Sequence, residues 1–395
     1  MTAILKSVYG YIGLCMLALV AGCQTQQQAG TTAKDQYNQT AAPVKLSTAQ
    51  VEYNQGMYPE ARKTITQVLD ADSANAPAYC LLGKIDLAEG KPVPAREAFG
   101  RALACDPNHA EAWFGSGVVA QSEDNHPLAL KQYQKAQACN PDNIEYAVAI
   151  ANTMNALGRS EEAAQYLDAQ IASNGKDVQL LCTAAATANR LGDREKAIQL
   201  YRRASIADPR NRDVQCSLAT VYVAGSDWQN AADTYEKLLV SATDKQKEEC
   251  LQMLASCSLN AGQFRKALHA YDKLSVIRRD DPDVWLGMSQ AALGTSDLKR
   301  ARYSAQKSLS LKQDGPQADA ILGSADYLDK KYLSALERFN RLSGDPQVGG
   351  FASFMAGRCY LKLGRITQAQ TAFDKALQIS PESPLVALFM KQNTN

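Results

Sequence analysis

The sequence predicts an all-α solenoid of about ten helix-turn-helix repeats, and three observations predict it. Small residues return at a fixed 34-residue spacing, with an alanine at one position of every repeat. A large apolar residue stands four places after that alanine in nine of the ten repeats. Ala, Leu and Gln are the commonest residues while β-branched residues are sparse, which favours helix. At 395 residues the chain also exceeds what one ordinary core organises, as a repeat array does.

The elements follow in chain order. Met1 to Lys6 precede an apolar run from Val8 to Val20, thirteen residues long. That is short of the roughly 20 needed to span a bilayer, but it fits the apolar core of a secretory signal peptide. The run ends in Leu19-Val20-Ala21-Gly22-Cys23, which resembles the bacterial lipobox. The resemblance implies a signal peptide over 1–22 and lipidation of Cys23 as the new first residue. Several acyl chains on one cysteine anchor stably where one does not. Gln24, a residue other than Asp after the cysteine, implies sorting to the outer membrane, with the rest of the chain in the periplasm. Residues 23–41 are polar and nearly free of large apolar side chains, so they read as a flexible tether.

Repeats begin at Ala42. Position 20 is Ala61, Ala95, Ala129, Ala163, Ala197 and Ala231, then, after two inserted residues, Ala267, Ala301, Ala335 and Ala369. Position 8 is Ala, Gly or Ser in every repeat. Position 24 is Ile65, Phe99, Tyr133, Leu167, Tyr201, Tyr235, Tyr271, Ala305, Phe339 and Phe373. Gly56, Gly90, Gly158, Gly192, Gly262 and Gly364 mark turns inside the repeats, and Pro107, Pro141, Pro209 and Pro381 mark turns between them.

This pattern resembles the tetratricopeptide (TPR) family over residues 42–383. Tyr79, Leu82, Gly83, Ala95, Phe99, Ala102 and Pro107 match it in repeat 2, and Trp113, Gly117, Ala129, Tyr133, Ala136 and Pro141 match it in repeat 3. The resemblance implies a right-handed superhelical stack in which antiparallel helices A and B approach through positions 8 and 20. The inserted residues near 241–247 divide the array into repeats 1–6 (42–247) and repeats 7–10 (248–383), and mark either a longer helix B or a hinge. Repeat 8, with Ala305 and Ser308 at packing positions, is expected to pack most loosely. Residues 384–395 are read as a short C-terminal cap or tail.

Few residues suggest chemistry. Lys plus Arg is 42 and Asp plus Glu 41, so no basic footprint points to nucleic acid. His109, His126 and His269 form no metal-ligand pair, and no nucleotide or nucleophile motif is present. An enzyme is therefore not expected, nor a cofactor or metal. The ten cysteines form no CxxC pair. Those at equivalent positions lie about 10 Å apart, beyond the ~7 Å limit for a disulfide, so they are expected as buried filler. The exception is Cys80 with Cys105, at helix ends that can meet.

In a TPR stack positions 2, 5, 9, 12 and 13 of the A helices line a groove. Here Leu46, Cys80, Leu87, Phe114 and Val118 give an apolar stretch, followed by Asn152, Asn155, Asn189 and Arg190. Asn amides pair with the backbone of an extended peptide and Arg takes a carboxylate. Phe351, Phe354, Arg358 and Lys362 form a second candidate strip. Position 5 never carries Lys, so the carboxylate clamp of chaperone-binding TPRs is not implied.

The plan of lipobox, tether and uninterrupted repeats is similar to the tight-adherence (Flp) pilus assembly lipoproteins of the TadD type, and to the pilotin lipoproteins of type IV pili. These resemblances imply a scaffold whose partners are proteins, such as a secretin or pilus components in extended segments. The membrane is met only through the N-terminal lipid. The alternatives are an NlpI-like adaptor that gathers cell-wall-remodelling enzymes, and a polysaccharide-export scaffold.

Overall fold

A computed structural model of the chain describes residues 41–381, and every regular element among them is an α-helix. The segments expected as a signal peptide (1–22) and as nearly all of the tether, with the Cys23 expected to be lipidated, lie outside the described residues, as does the tail from 384. The chain divides into two compact units between Gly192 and Asp193.

Unit one holds α1 (41–54), α2 (Tyr58–Ala71), α3 (Ala76–Ala88), α4 (Pro92–Cys105), α5 (Ala110–Ser122), α6 (His126–Cys139), α7 (Ile144–Ala156), α8 (Ser160–Ser173) and α9 (Val178–Arg190). Unit two begins with α10 (Arg194–Ala207), α11 (Arg212–Ala224), α12 (Trp228–Val240) and α13 (Asp244–Asn260). It continues through α14 (Phe264–Ile277), α15 (Pro282–Gly294), α16 (Leu298–Leu311) and α17 (Pro316–Leu328) to α18 (Tyr332–Leu342), α19 (Gly349–Lys362) and α20 (Ile366–Ile379). Odd-numbered helices are the A helices and even-numbered ones the B helices, ten of each, as the spacing predicts.

The small positions are small because nothing larger fits. All ten position-20 alanines are fully buried. At position 8, a Cβ added to Gly83 would lie 2.7 Å from the Phe99 ring, and one on Gly117 2.4 Å from Tyr133. The glycine and the position-24 aromatic are therefore one packing unit.

Turns repeat as faithfully. Position 15 has positive φ in all ten repeats: the six glycines named above, and Asp124, Ser226, Ser296 and Lys330 at φ 56–64°. In nine of the ten the residue after it closes a bond to the carbonyl five back, as in Lys91 N to Asp86 O (2.8 Å) and Arg159 N to Met154 O (2.9 Å). This is the left-handed stop of a Schellman motif. Asn75, His109, Asn143, Asp177, Asn211 and Asp281 cap A helices through their side chains.

Ion clusters also recur between repeats. Arg62 reaches Asp86 (2.7 Å) and Glu89 (2.5 Å), and Lys91 also pairs with Glu89 (3.0 Å). At the same repeat positions Arg302 reaches Asp326 (3.3 Å) and Asp329 (2.9 Å), with Lys331 on Asp329 (2.9 Å). Asp86 and Asp326 are both buried.

Three sequence expectations are revised. The two inserted residues lengthen neither helix B, since α12 has 13 residues, but helix A of repeat 7, since α13 has 17. Repeat 8 does not pack loosely: Ala305 is fully buried and clusters with Ile321 and Leu322, while the Ser308 hydroxyl donates to Pro282 O (2.9 Å). Leucines and a hydrogen bond replace the missing ring. The cysteines are only partly filler. Cys80, Cys250, Cys257 and Cys359 are buried, but Cys105 and Cys139 are exposed. Cys80 and Cys105 are free thiols, and burial pushes the Cys80 thiol up to about 12.

Candidate functional site

The A-helix strip of repeats 3 to 5 lies wholly within unit one, on α5, α7 and α9. Phe114 is half-buried, its ring 5.3 Å from that of Tyr133 and 5.0 Å from that of Tyr146. Burial pushes both phenols up to about 12, so they stay neutral and fix the Phe114 ring by packing. Val118, one turn on, is half-buried against the same cluster. Together they give a rigid apolar floor with one edge open.

The polar members divide into two kinds. Asn152, Asn189 and Arg190 are exposed, and their side chains make no hydrogen bond or ion pair among the described residues. Three donor-bearing groups thus stand free on successive A helices. Asn155 is different. Its Nδ2 donates to Thr187 Oγ1 (2.8 Å), whose own hydroxyl donates to Thr183 O (2.8 Å). It ties α7 to α9, the helices that carry Asn152 and Asn189, a link that spacing alone did not reveal.

The second strip, on α19, is less open than its sequence promised. Phe354 is buried, with its ring 5.7 Å from Phe373, and belongs to the core. Phe351 is 41% exposed and stands edge-on to Phe339 at 6.1 Å. Arg358 lies over the Tyr327 ring at 4.9 Å, which uses its cationic face, and Lys362 is exposed. The free surface here reduces to Phe351 and Lys362.

Among the described residues no helix is long and apolar enough to cross a membrane, and no group of three His, Cys, Asp or Glu could hold a metal ion. His109 is occupied as a helix cap, its Nδ1 accepting from Ala112 N (3.3 Å).

Tetratricopeptide repeat models match residues 80–144, 182–246 and 350–383. Among curated proteins, the chain is 29% identical over 129 residues to the protein CTR9 homolog of Arabidopsis thaliana. That match takes in 32% of this chain and only 12% of the relative's length. Among solved structures it is similar to PilF of Pseudomonas aeruginosa (16% identity, TM-score 0.46, 54% of this chain and 97% of that one). It is similar also to PilW, described as a type IV pilus biogenesis factor (17%, 0.47, 52% and 97%). A third, the Cut9–Hcn1 structure, covers 87% of this chain and 94% of that one at 12% identity and a TM-score of 0.39. With small positions 8 and 20, a left-handed position 15 and these matched stretches, the chain is a tetratricopeptide repeat protein.

Proposed function

We propose that this protein is a lipid-anchored periplasmic scaffold, without catalytic activity of its own, that binds an extended protein segment during assembly of a pilus or secretion machine. The observation that carries the binding role is the free trio Asn152, Asn189 and Arg190 beside the fixed Phe114 ring. An extended chain advances ~3.3 Å per residue, so about three of its residues span one repeat step of ~10 Å. Amides on successive A helices then meet main-chain groups at that interval whatever the side chains are. Arg190 adds a site for a carboxylate. The outer-membrane location and the pilus or secretion pathway rest on the sequence plan of lipobox, Gln24, tether and uninterrupted repeats.

A pull-down from membrane extracts tests the binding surface. The Asn152→Ala, Asn189→Ala, Arg190→Ala triple variant should recover at least about tenfold less of the partner that the wild type retains, because charged and amide hydrogen bonds of this kind contribute roughly 1–3 kcal/mol each. Equal recovery by the two proteins would remove the strip from consideration and leave Phe351 and Lys362 as the alternative. Anchoring is tested separately. Cys23→Ser should move the protein from the membrane to the soluble fraction, and a variant still processed and membrane-bound would refute the lipoprotein reading.

A further inference from the structure

Position 4 of the repeat carries a ring in some repeats and not in others. It is Tyr79 in repeat 2, Trp113 in repeat 3 and Trp285 in repeat 8. Where the ring is present, a cation at position 26 can seat on it. The Lys135 ammonium lies 4.0 Å from the Trp113 centroid and the Arg101 guanidinium 5.8 Å from that of Tyr79. In repeat 10, position 4 is Ser353 while position 26 is still a cation, Lys375. The ring is gone and the charge remains.

A cavity of about 320 Å³ opens there, between α18, α19 and α20. Among the described residues Ser353, Tyr360, Gln368 and Lys375 line it, with Asn340 and Ser343 on the facing wall, and no carboxylate of those residues does. Ser353 is 1% exposed, yet among the described residues its hydroxyl has no hydrogen-bond partner, a cost that calls for an explanation in a buried polar group. The Lys375 ammonium has turned to Ser343 Oγ at 2.9 Å. These residues are at repeat positions other than those of the A-helix strip, so the cavity is a separate surface.

A second cavity in the same unit shows what a self-satisfied version looks like. Between α10, α11 and α12, a space of about 290 Å³ has Gln215 at position 4, Tyr222 at position 11 and Lys237 at position 26. There the Gln215 amide donates to the Ser205 hydroxyl (2.6 Å), and Asp233 supplies an anion to the wall. Repeat 10 has neither: position 22 is Thr371 and the position-4 hydroxyl is unpaired.

We propose that the repeat-10 cavity binds a carboxylate. Its polar groups can all donate, and one ammonium matches one negative charge. A two-oxygen planar head can take Lys375 on one oxygen and the Ser353 hydroxyl on the other. The volume admits a group of amino-acid size. The carboxylate is either a chain terminus or an acidic side chain, and two probes separate these sources.

The intact chain is titrated by ¹H–¹⁵N NMR with N-acetylalanine, with the N-methylamide of N-acetylaspartate, and with the neutral N-methylamide of N-acetylasparagine. One or both carboxylates should shift the Ser353, Tyr360 and Lys375 signals, and the neutral amide should not. Lys375→Gln, at an exposed position, should weaken binding about tenfold or more. Ser353→Trp restores the ring of repeats 3 and 8 and should abolish the shifts while helicity is retained. If that variant fails to fold, Ser353→Ala should still weaken binding. Equal shifts from the neutral amide, undiminished binding by Lys375→Gln, or no shift from either carboxylate would overturn the proposal. Shifts caused by indole and by neither carboxylate would instead make the cavity a receptor for a partner's aromatic ring, and overturn it as well.

Discussion

Replacing Phe99 by alanine should destabilise the first unit by roughly 3–5 kcal/mol, the range for removing a buried phenylalanine. The size follows from its surroundings. Phe99 is fully buried, and its ring is gripped by two glycines, Gly83 of its own repeat and Gly115 of the next. A Cβ on Gly115 would lie 2.3 Å from the ring, and one on Gly83 2.7 Å. Without the ring both glycines face a void, and backbone helices cannot close on it without losing their own bonds. Urea unfolding monitored by far-ultraviolet circular dichroism measures the change, read on the transition of the first unit. A shift below about 1 kcal/mol would mean that the ring is not the pin between repeats 2 and 3.

The second large effect comes from charge. Arg62→Met should cost roughly 2–3 kcal/mol, between the ~3–5 of breaking a fully buried pair and the ~0–1 of a surface pair. It leaves Asp86, whose side chain is 4% exposed, without its only ion-pair partner among the described residues. The matching Arg302→Met should cost clearly less. Asp326 keeps Arg338 Nε at 3.3 Å and the Ser334 hydroxyl at 2.9 Å. Equal losses in the two variants would show that the clusters do not act through the buried aspartate.

The same cluster predicts a pH dependence. Hydrogen bonds from Lys91 and then Arg62 hold the Glu89 carboxyl below its usual value, and those from Lys331 and then Arg302 do so for Asp329. A carboxylate with a depressed folded value binds its proton more readily when unfolded. Its contribution is therefore complete above the ordinary values of 4.5 and 3.8 and is lost as the pH falls through the lower folded ones. Arg62→Met should flatten the acid limb of the stability curve.

The fold was legible because its rules are local and repeated. A position that must be small in one repeat must be small in all, so ten alanines declared the contact between helices before any coordinate did. The turns were half legible. Six glycines announced position 15, but Asp124, Ser226, Ser296 and Lys330 take the same left-handed conformation, at a cost that the surrounding turn bonds offset. The lengthening of α13 was not legible, since an insertion between helices reads alike whichever helix absorbs it.

The candidate site was legible in outline and not in detail. Repeat position placed Asn152, Asn189 and Arg190 on successive A helices, and they are free there. It could not separate Asn155, which shares their chemistry but is spent on Thr187, nor show that Phe354 turns into the core against Phe373. Side-chain partners between helices depend on which neighbours are present, and periodicity does not encode that. The repeat-10 cavity was missed for the same reason. It is defined by a ring that is absent at Ser353, and only the rings at Tyr79, Trp113 and Trp285 show what belongs there.

Site-specific photocrosslinking in intact cells tests the central claim, that the A-helix strip is where this scaffold holds its protein partner. A benzophenone side chain replaces Asn152 or Asn189 on the strip, or Gln165, which is exposed on helix B of repeat 4. The strip positions should give one discrete crosslinked protein in common, and Gln165 should give little or none of it. A discrete adduct from Gln165 with none from Asn152 and Asn189, or the same adduct as strongly from all three positions, would contradict the account.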